Sequence, residues 1–394
     1  MFSHRVPSDL APNRLSEQLA RLRVEKRPII DLTESNPTRA GLTYPSTLLA
    51  PLGEPASLVY APEPFGLLAA REAIAADYAR RGIRTSPDRI ALTASTSEAY
   101  SLLFKVLCDP GDEVLVPRPS YPLFEHLTRL DAVVARPYDL EYGGSWSIDI
   151  ASVERALSDR TRALLVVHPN NPTGSFVKRD ELAALGTLCA ARGVALVADE
   201  VFADYELTPG ARAEAGIILE HPPALTFSLG GLSKTIGLPQ AKLGWIGLAG
   251  PDALVTQTVG RLEIVCDAYL SVSTPVQGAC GRLLDAGTTI RQQIQRRVAG
   301  NYETLLSATT SPCACRTLLA EGGWYAVLHV PTLGTEEDLV LDLLSSDHVL
   351  VHPGYFFDFP GESYLVLSLL VEEAAFSRGV DSILRHFDCS MWPA

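Results

Sequence analysis

Lysine is nearly missing from this chain. Of the 33 basic residues among 394, only five are lysine, at positions 26, 105, 178, 234 and 242. Arginine therefore carries the surface positive charge. A lysine set in an apolar, glycine-rich stretch is then a candidate for chemistry closed to a guanidinium, which does not lose its proton to become an amine nucleophile. Lys234 is such a residue, in Ser228-Leu-Gly-Gly-Leu-Ser-Lys-Thr-Ile-Gly-Leu-Pro-Gln-Ala-Lys242-Leu-Gly.

Other absences narrow the field further. The formal net charge is -13, and the longest basic cluster is a short run such as Gln295-Arg296-Arg297, so the chain lacks the positive field that binding nucleic acid requires. No apolar run approaches the roughly 18 residues that would suggest a membrane span. The amino terminus has no apolar signal core, so the expected compartment is the cytosol. Seven dispersed cysteines make a poor disulfide framework and suit a reducing compartment. The one close pair, Cys313 and Cys315, has no second pair or nearby histidine to complete a metal site, and no metal is expected. His168, beside a Pro-Asn-Asn-Pro turn, reads first as a satisfied histidine and second as a residue near a site.

What is present is alternation. Between about residue 66 and 250, short apolar runs alternate with helical patterns. The runs include Arg89-Ile-Ala-Leu-Thr, Glu113-Val-Leu-Val-Pro, Arg162-Ala-Leu-Leu-Val-Val-His, Val194-Ala-Leu-Val-Ala-Asp, Ala224-Leu-Thr-Phe-Ser and Gly244-Trp-Ile-Gly-Leu. This is the pattern of an α/β domain with a mostly parallel sheet, in which ligands gather at the carboxyl ends of strands. Long helical patterns follow at 275–307. A strand at Gly323-Trp-Tyr-Ala-Val-Leu-His-Val, a helix near Thr335 to Ser345 and strands near Val349 and Tyr364 then suggest a smaller α+β domain.

The loops after the strands hold the chemistry. Ser95 and Glu98 have the spacing of a capping box, so Ser95, Thr96 and Ser97 would stand at a helix amino terminus suited to an anion. Tyr121 lies in the rigid turn Pro117-Arg-Pro-Ser-Tyr121-Pro. Asn171 lies in His168-Pro-Asn-Asn171-Pro-Thr-Gly174. Asp199 ends a buried strand, where a carboxylate must be paired, hydrogen-bonded or neutralised.

Taken in order, Asn-Asn-Pro-Thr-Gly, Ala-Asp-Glu-Val-Phe and Leu-Ser-Lys-Thr resemble the class I/II aminotransferases, fold type I of the pyridoxal-phosphate enzymes, over nearly the whole chain. The resemblance implies an α/β fold with a large three-layer domain at 46–285, and a smaller α+β domain built from both chain ends, 1–45 and 286–394. It implies pyridoxal 5'-phosphate as cofactor. Lys234 would hold it as an internal aldimine and later move a proton, and Asp199 would keep the pyridine nitrogen protonated. Asn171 would bond the ring 3′ oxygen and Tyr121 would stack on the ring. Ser95, Thr96, Ser97 and Lys242 would hold the phosphate, with Lys242 standing where arginine is usual. Tyr60, in Tyr60-Ala-Pro-Glu-Pro-Phe-Gly66, would reach the phosphate of a neighbouring subunit, implying a homodimer with shared sites.

The implied reaction moves an amino group from an amino acid to a 2-oxo acid through a pyridoxamine-phosphate intermediate. Two departures bear on the substrate. Phe202 replaces a tyrosine that would donate to the 3′ oxygen, with Tyr205 a nearby substitute, and Val366 stands where the family carries the arginine that binds the substrate carboxylate. Arg39 is a candidate replacement for that arginine. The aromatic run His352-Pro-Gly-Tyr355-Phe356-Phe357-Asp-Phe359 suggests a hydrophobic or aromatic donor. A lyase on the same fold, cleaving for example a carbon–sulfur bond, and a non-catalytic cofactor-binding protein remain alternatives at this stage.

Overall fold

The computed structural model describes residues 2–310, 313–331, 334–361 and 363–387. Its centre is an eight-stranded sheet in the order Ile90–Thr93, Gly244–Ala249, Thr226–Gly231, Ala195–Asp199, Thr161–Val167, Glu113–Arg118, Val134–Tyr142, Trp146–Ile148. Four of the seven pairings are parallel and three antiparallel, so the sheet is mostly parallel. Its central strands are mostly apolar and, apart from Arg162, buried, as a sheet covered on both sides requires. Two apolar clusters fill the space on either side of it.

The apolar runs mark strands close to where the sequence places them, and the helices between follow their capping signals. Arg179–Arg192 starts where Glu181 accepts the Lys178 N–H at 2.7 Å, and it stops at Gly193 in the left-handed region, φ 64°. Two long helices, Thr274–Ala286 and Thr288–Ala308, fall in the stretch expected to be helical. Asp252–Tyr269 and Glu373–His386 are two further helices, outside the patterns described above.

A separate four-stranded sheet is built from Arg316–Thr317, Tyr325–His329, Tyr364–Ser368 and His352–Pro353, in that order. The amino-terminal segment joins this end of the molecule, since Ile30–Asp31 pairs in parallel with Val349–Leu350. Ser368 secures the next few residues by donating its backbone N–H to Leu32 O and its hydroxyl to Glu34 O, each at 2.7 Å. That fastening carries Ser35 over the end of the large sheet.

Candidate functional site

The register of the central sheet brings the separate motifs to one edge. Thr93 pairs with Gly244, and Gly244 with Gly231, so the turns leading to Ser95, Lys242 and Lys234 leave the sheet side by side. Asp199 pairs with both Val167 and Leu229, placing the Asn171 loop beside them. The strand Glu113–Arg118 delivers Tyr121 to the same edge. These turns surround a cavity of about 340 Å³. Of the nine residues proposed from sequence, Ser95, Thr96, Ser97, Tyr121, Asn171, Asp199, Lys234 and Lys242 all line it.

At one end, the helix Thr96–Leu107 presents its amino terminus. The Ser95 hydroxyl accepts the Glu98 N–H at 3.1 Å, while the Glu98 carboxylate takes the Ala94 N–H at 2.6 Å, one residue earlier than a reciprocal box would place it. Gly244 packs so closely that a Cβ would lie 3.0 Å from Thr93 Oγ1 and 3.1 Å from the Ser95 carbonyl carbon. Lys242, two residues before Gly244 and in the left-handed region at φ 51°, lines the same cavity. Cation, hydroxyls and helix terminus together favour a phosphate.

The floor carries Asp199. Tyr100 donates to its Oδ2 at 3.2 Å and the Val201 N–H to its Oδ1 at 3.1 Å, yet burial outweighs both and raises the carboxyl pKa to about 6. A cationic partner over this carboxylate would restore its ionised form. Asn171 is buried, and its side-chain oxygen has no hydrogen-bond partner. An unpartnered buried amide in a polar cavity is unusual unless a ligand completes it. A protonated heterocycle with a ring hydroxyl, able to donate to Asn171 Oδ1, and a phosphate arm satisfies all three regions, so these residues fit pyridoxal phosphate.

Lys234 follows the strand Thr226–Gly231 in the short turn Leu232–Thr235. Burial lowers its pKa to about 8, opposed by the negative charge of Asp199. Its Nζ lies 4.8 Å from the Trp324 ring centroid and 5.7 Å from that of Phe202. Tyr205 does not stand in for the hydroxyl absent at Phe202. Its OH donates to the backbone oxygens of Lys234, at 2.5 Å, and Thr235, at 3.3 Å. It braces the lysine turn instead. Arg291, itself paired with Asp77 and Asp204, donates to Thr235 O at 3.0 Å and braces the same turn.

Several expected residues lie elsewhere. Tyr60 is 74% exposed and borders a separate small crevice with Tyr269. Arg39 is exposed and does not line the cavity. Val366 is fully buried between Val327 and His352 in the small sheet, a core position outside the cavity wall. The aromatic turn Gly354–Phe357 packs behind Tyr325, with Phe357 6.5 Å from it, and contributes no lining residue. His168 is satisfied as expected, for its Nδ1 accepts the Val177 N–H at 2.9 Å and burial lowers its pKa to about 4.

Sequence reasoning missed Ser35, Ser233 and Tyr325, which line the cavity, together with Tyr100 beneath Asp199 and Trp324 beside Lys234. Ser233, as the neighbour of Lys234, and Tyr100, at the end of the Thr93-Ala-Ser-Thr-Ser-Glu-Ala-Tyr motif, could have been weighed from position alone. Ser35 and Tyr325 carried no local signal.

The comparisons with known proteins agree with this geometry. The sequence matches the family described as aminotransferase class I and II over residues 27–383. It is 28% identical over 365 residues to an alanine aminotransferase of Mycobacterium tuberculosis, covering 90% of this chain and 84% of that protein. It is 26% identical over 359 residues to the glutamate-pyruvate aminotransferase AlaA of Escherichia coli, covering 87% and 86%. The fold is shared with an alanine aminotransferase from Pyrococcus furiosus at a TM-score of 0.85, with 24% identity over 98% of this chain and 99% of that one.

Proposed function

Since this chain belongs to the class I and II aminotransferases and is a pyridoxal-phosphate-dependent enzyme of that family, we propose how its own residues divide the work and what donor they suit. The bound cofactor supplies a carbonyl that combines with amines and a ring that accepts the electron pair released from the substrate Cα–H bond.

Lys234 holds the cofactor and moves the proton at the substrate Cα. With a pKa of about 8, about a tenth of its amine is neutral near pH 7, enough to serve as nucleophile and base. Asp199 holds the ring nitrogen in its charged form, and Tyr100 and the Val201 N–H fix the carboxylate for that task. Asn171 takes the ring oxygen and Tyr121 covers a ring face. Ser95, Thr96, Ser97 and Lys242 hold the phosphate. Phe202 and Trp324 enclose the amine and keep water from it.

The cavity offers Phe202, Tyr325 and Ser35 around the remaining space, and its only charged lining residues among those described are Asp199, Lys234 and Lys242. This supports an uncharged amino-acid side chain on the donor. Within the expected hydrophobic or aromatic donors, the relatives named for alanine favour a small one. We also propose a homodimer. Leu58, Val59 and Tyr60 are consecutive and 89%, 64% and 74% exposed, an apolar projection suited to a second copy, where Tyr60 would reach the partner's phosphate. The large domain at 46–285 is proposed on the eight-stranded sheet it contains, and the cytosol on Cys108, Cys189, Cys266 and Cys280, none in a disulfide. Among the described residues no helix is long and apolar enough to cross a membrane.

The observation that carries this reading is the meeting of Lys234, Asp199 and Asn171 in one cavity. Absorbance spectra with a panel of amino acids test it. Conversion of the cofactor band by alanine or another uncharged amino acid, reversed by a 2-oxo acid, is expected. Ammonia release without any acceptor would overturn transamination in favour of elimination.

A further inference from the structure

The cavity contains an arrangement that the proposed roles leave unused. Its two cations are committed, Lys242 at the hydroxyl-rich end and Lys234 at the reacting centre. The wall formed by Ser35 and Tyr325 is uncharged. The Ser35 side chain engages the Tyr325 phenol, and both are held from behind by one residue. Ser368 pairs with Tyr325 across the small sheet and fastens the segment carrying Ser35 through Leu32 O and Glu34 O. Two hydroxyls linked in this way in the cavity wall form a neutral, preorganised unit with one O–H left free to donate.

Amino acids and 2-oxo acids share one charged group next to the reacting carbon, the carboxylate. We propose that Tyr325 and Ser35 bind the substrate carboxylate by hydroxyl donation, as specificity-determining residues in place of a fixed guanidinium. This rests on the aminotransferase reading above. An acidic neighbour of the pair sharpens the proposal. Glu34 acts electrostatically on the Tyr325 phenol, while its Oε1 accepts the Asn36 N–H at 2.8 Å. A carboxylate bound at this wall meets a hydroxyl donor supported by its neighbour and one repelling charge, so its binding should weaken without the phenol and tighten when Glu34 is neutralised.

The test uses cofactor-loaded protein and 2-methylalanine, which has no Cα proton to lose, with 2-amino-2-methylpropan-1-ol as its carboxylate-free counterpart. Dissociation constants come from spectral titration. Tyr325→Phe is expected to raise the constant for 2-methylalanine about tenfold, as loss of a hydrogen bond to a charged group does. Ser35→Ala should raise it severalfold, and Glu34→Gln, which keeps the acceptor for Asn36, should lower it. The amino alcohol should respond to none of the three. Equal changes for both ligands, or weakening by all three variants, would mean the residues only support the fold and would overturn the proposal, as would no change at all. Failure of every amino acid to convert the wild-type spectrum would instead bring down the aminotransferase reading, and this inference with it.

Discussion

The two walls of the cavity are built differently. The wall from the central sheet is dense with fixed charge and donors. Asp199, Lys234, Lys242 and the three hydroxyl residues proposed to hold the phosphate all line the cavity. The wall from the amino-terminal segment and the small sheet carries only hydroxyls and apolar surface, and Val366 is packed away in the core. A cofactor that is the same in every turnover rewards rigid complementary charges, because their desolvation is offset once and kept. A surface that must accept both an amino acid and a 2-oxo acid can use weaker neutral donors.

Changes on the charged wall should have the largest effects. Lys234→Ala is expected to lower transamination by at least about 10³-fold, since it removes both the nucleophile and the proton carrier. Turnover by this variant without added amine would contradict the assignment.

Placing a charge in the core behind the neutral wall should cost stability instead of restoring a substrate site. Val366→Arg would bury an unpaired guanidinium between Val327 and His352 and should destabilise the fold by several kcal/mol, read from denaturant midpoints. A stable variant with tighter amino-acid binding would erase the contrast between the walls.

Asp199 links the charged wall to pH. Its folded pKa, about 6, stands above the ordinary 3.8, so the cofactor-free fold holds this proton more tightly than the unfolded chain. That contribution is fully present below about pH 4. It is lost as pH rises to 6, by about 3 kcal/mol. Tm measured from pH 4 to 7 should show this loss in cofactor-free protein, less of it with cofactor bound, and none of this component in Asp199→Asn. The smallest effect is expected from Tyr205→Phe, which removes a brace from the Lys234 turn and should cost about 1 kcal/mol of stability. A shift of the Lys234 titration alone, with stability intact, would show that Tyr205 acts on the amine and not on its backbone.

Much of the charged wall was legible because each of its residues sits within a few positions of a strand end. Strand ends can be read from apolar runs, and in a mostly parallel sheet they converge on one edge. Asn171, Asp199 and Lys234 therefore announced both themselves and their meeting place. Tyr205 shows the limit of this reading. It lies three residues from Phe202 and has the right hydroxyl, yet its side chain points to the lysine backbone. That direction is set by packing against Trp324, 5.3 Å away. The aromatic run at 352–359 misled for a related reason, since composition cannot distinguish rings that face a cavity from rings that stand behind one that does.

By itself the sequence determined the α/β alternation, the amine among so few lysines, and the candidate cofactor residues at successive strand ends, all properties of local pattern and short spacing. Only the tertiary structure decided the second wall of the cavity. Ser35 and Tyr325 come from opposite ends of the chain, and they meet because Ser368 ties the amino-terminal segment to the small sheet. Contacts of that kind depend on how distant surfaces pack, and no periodicity within either segment encodes them.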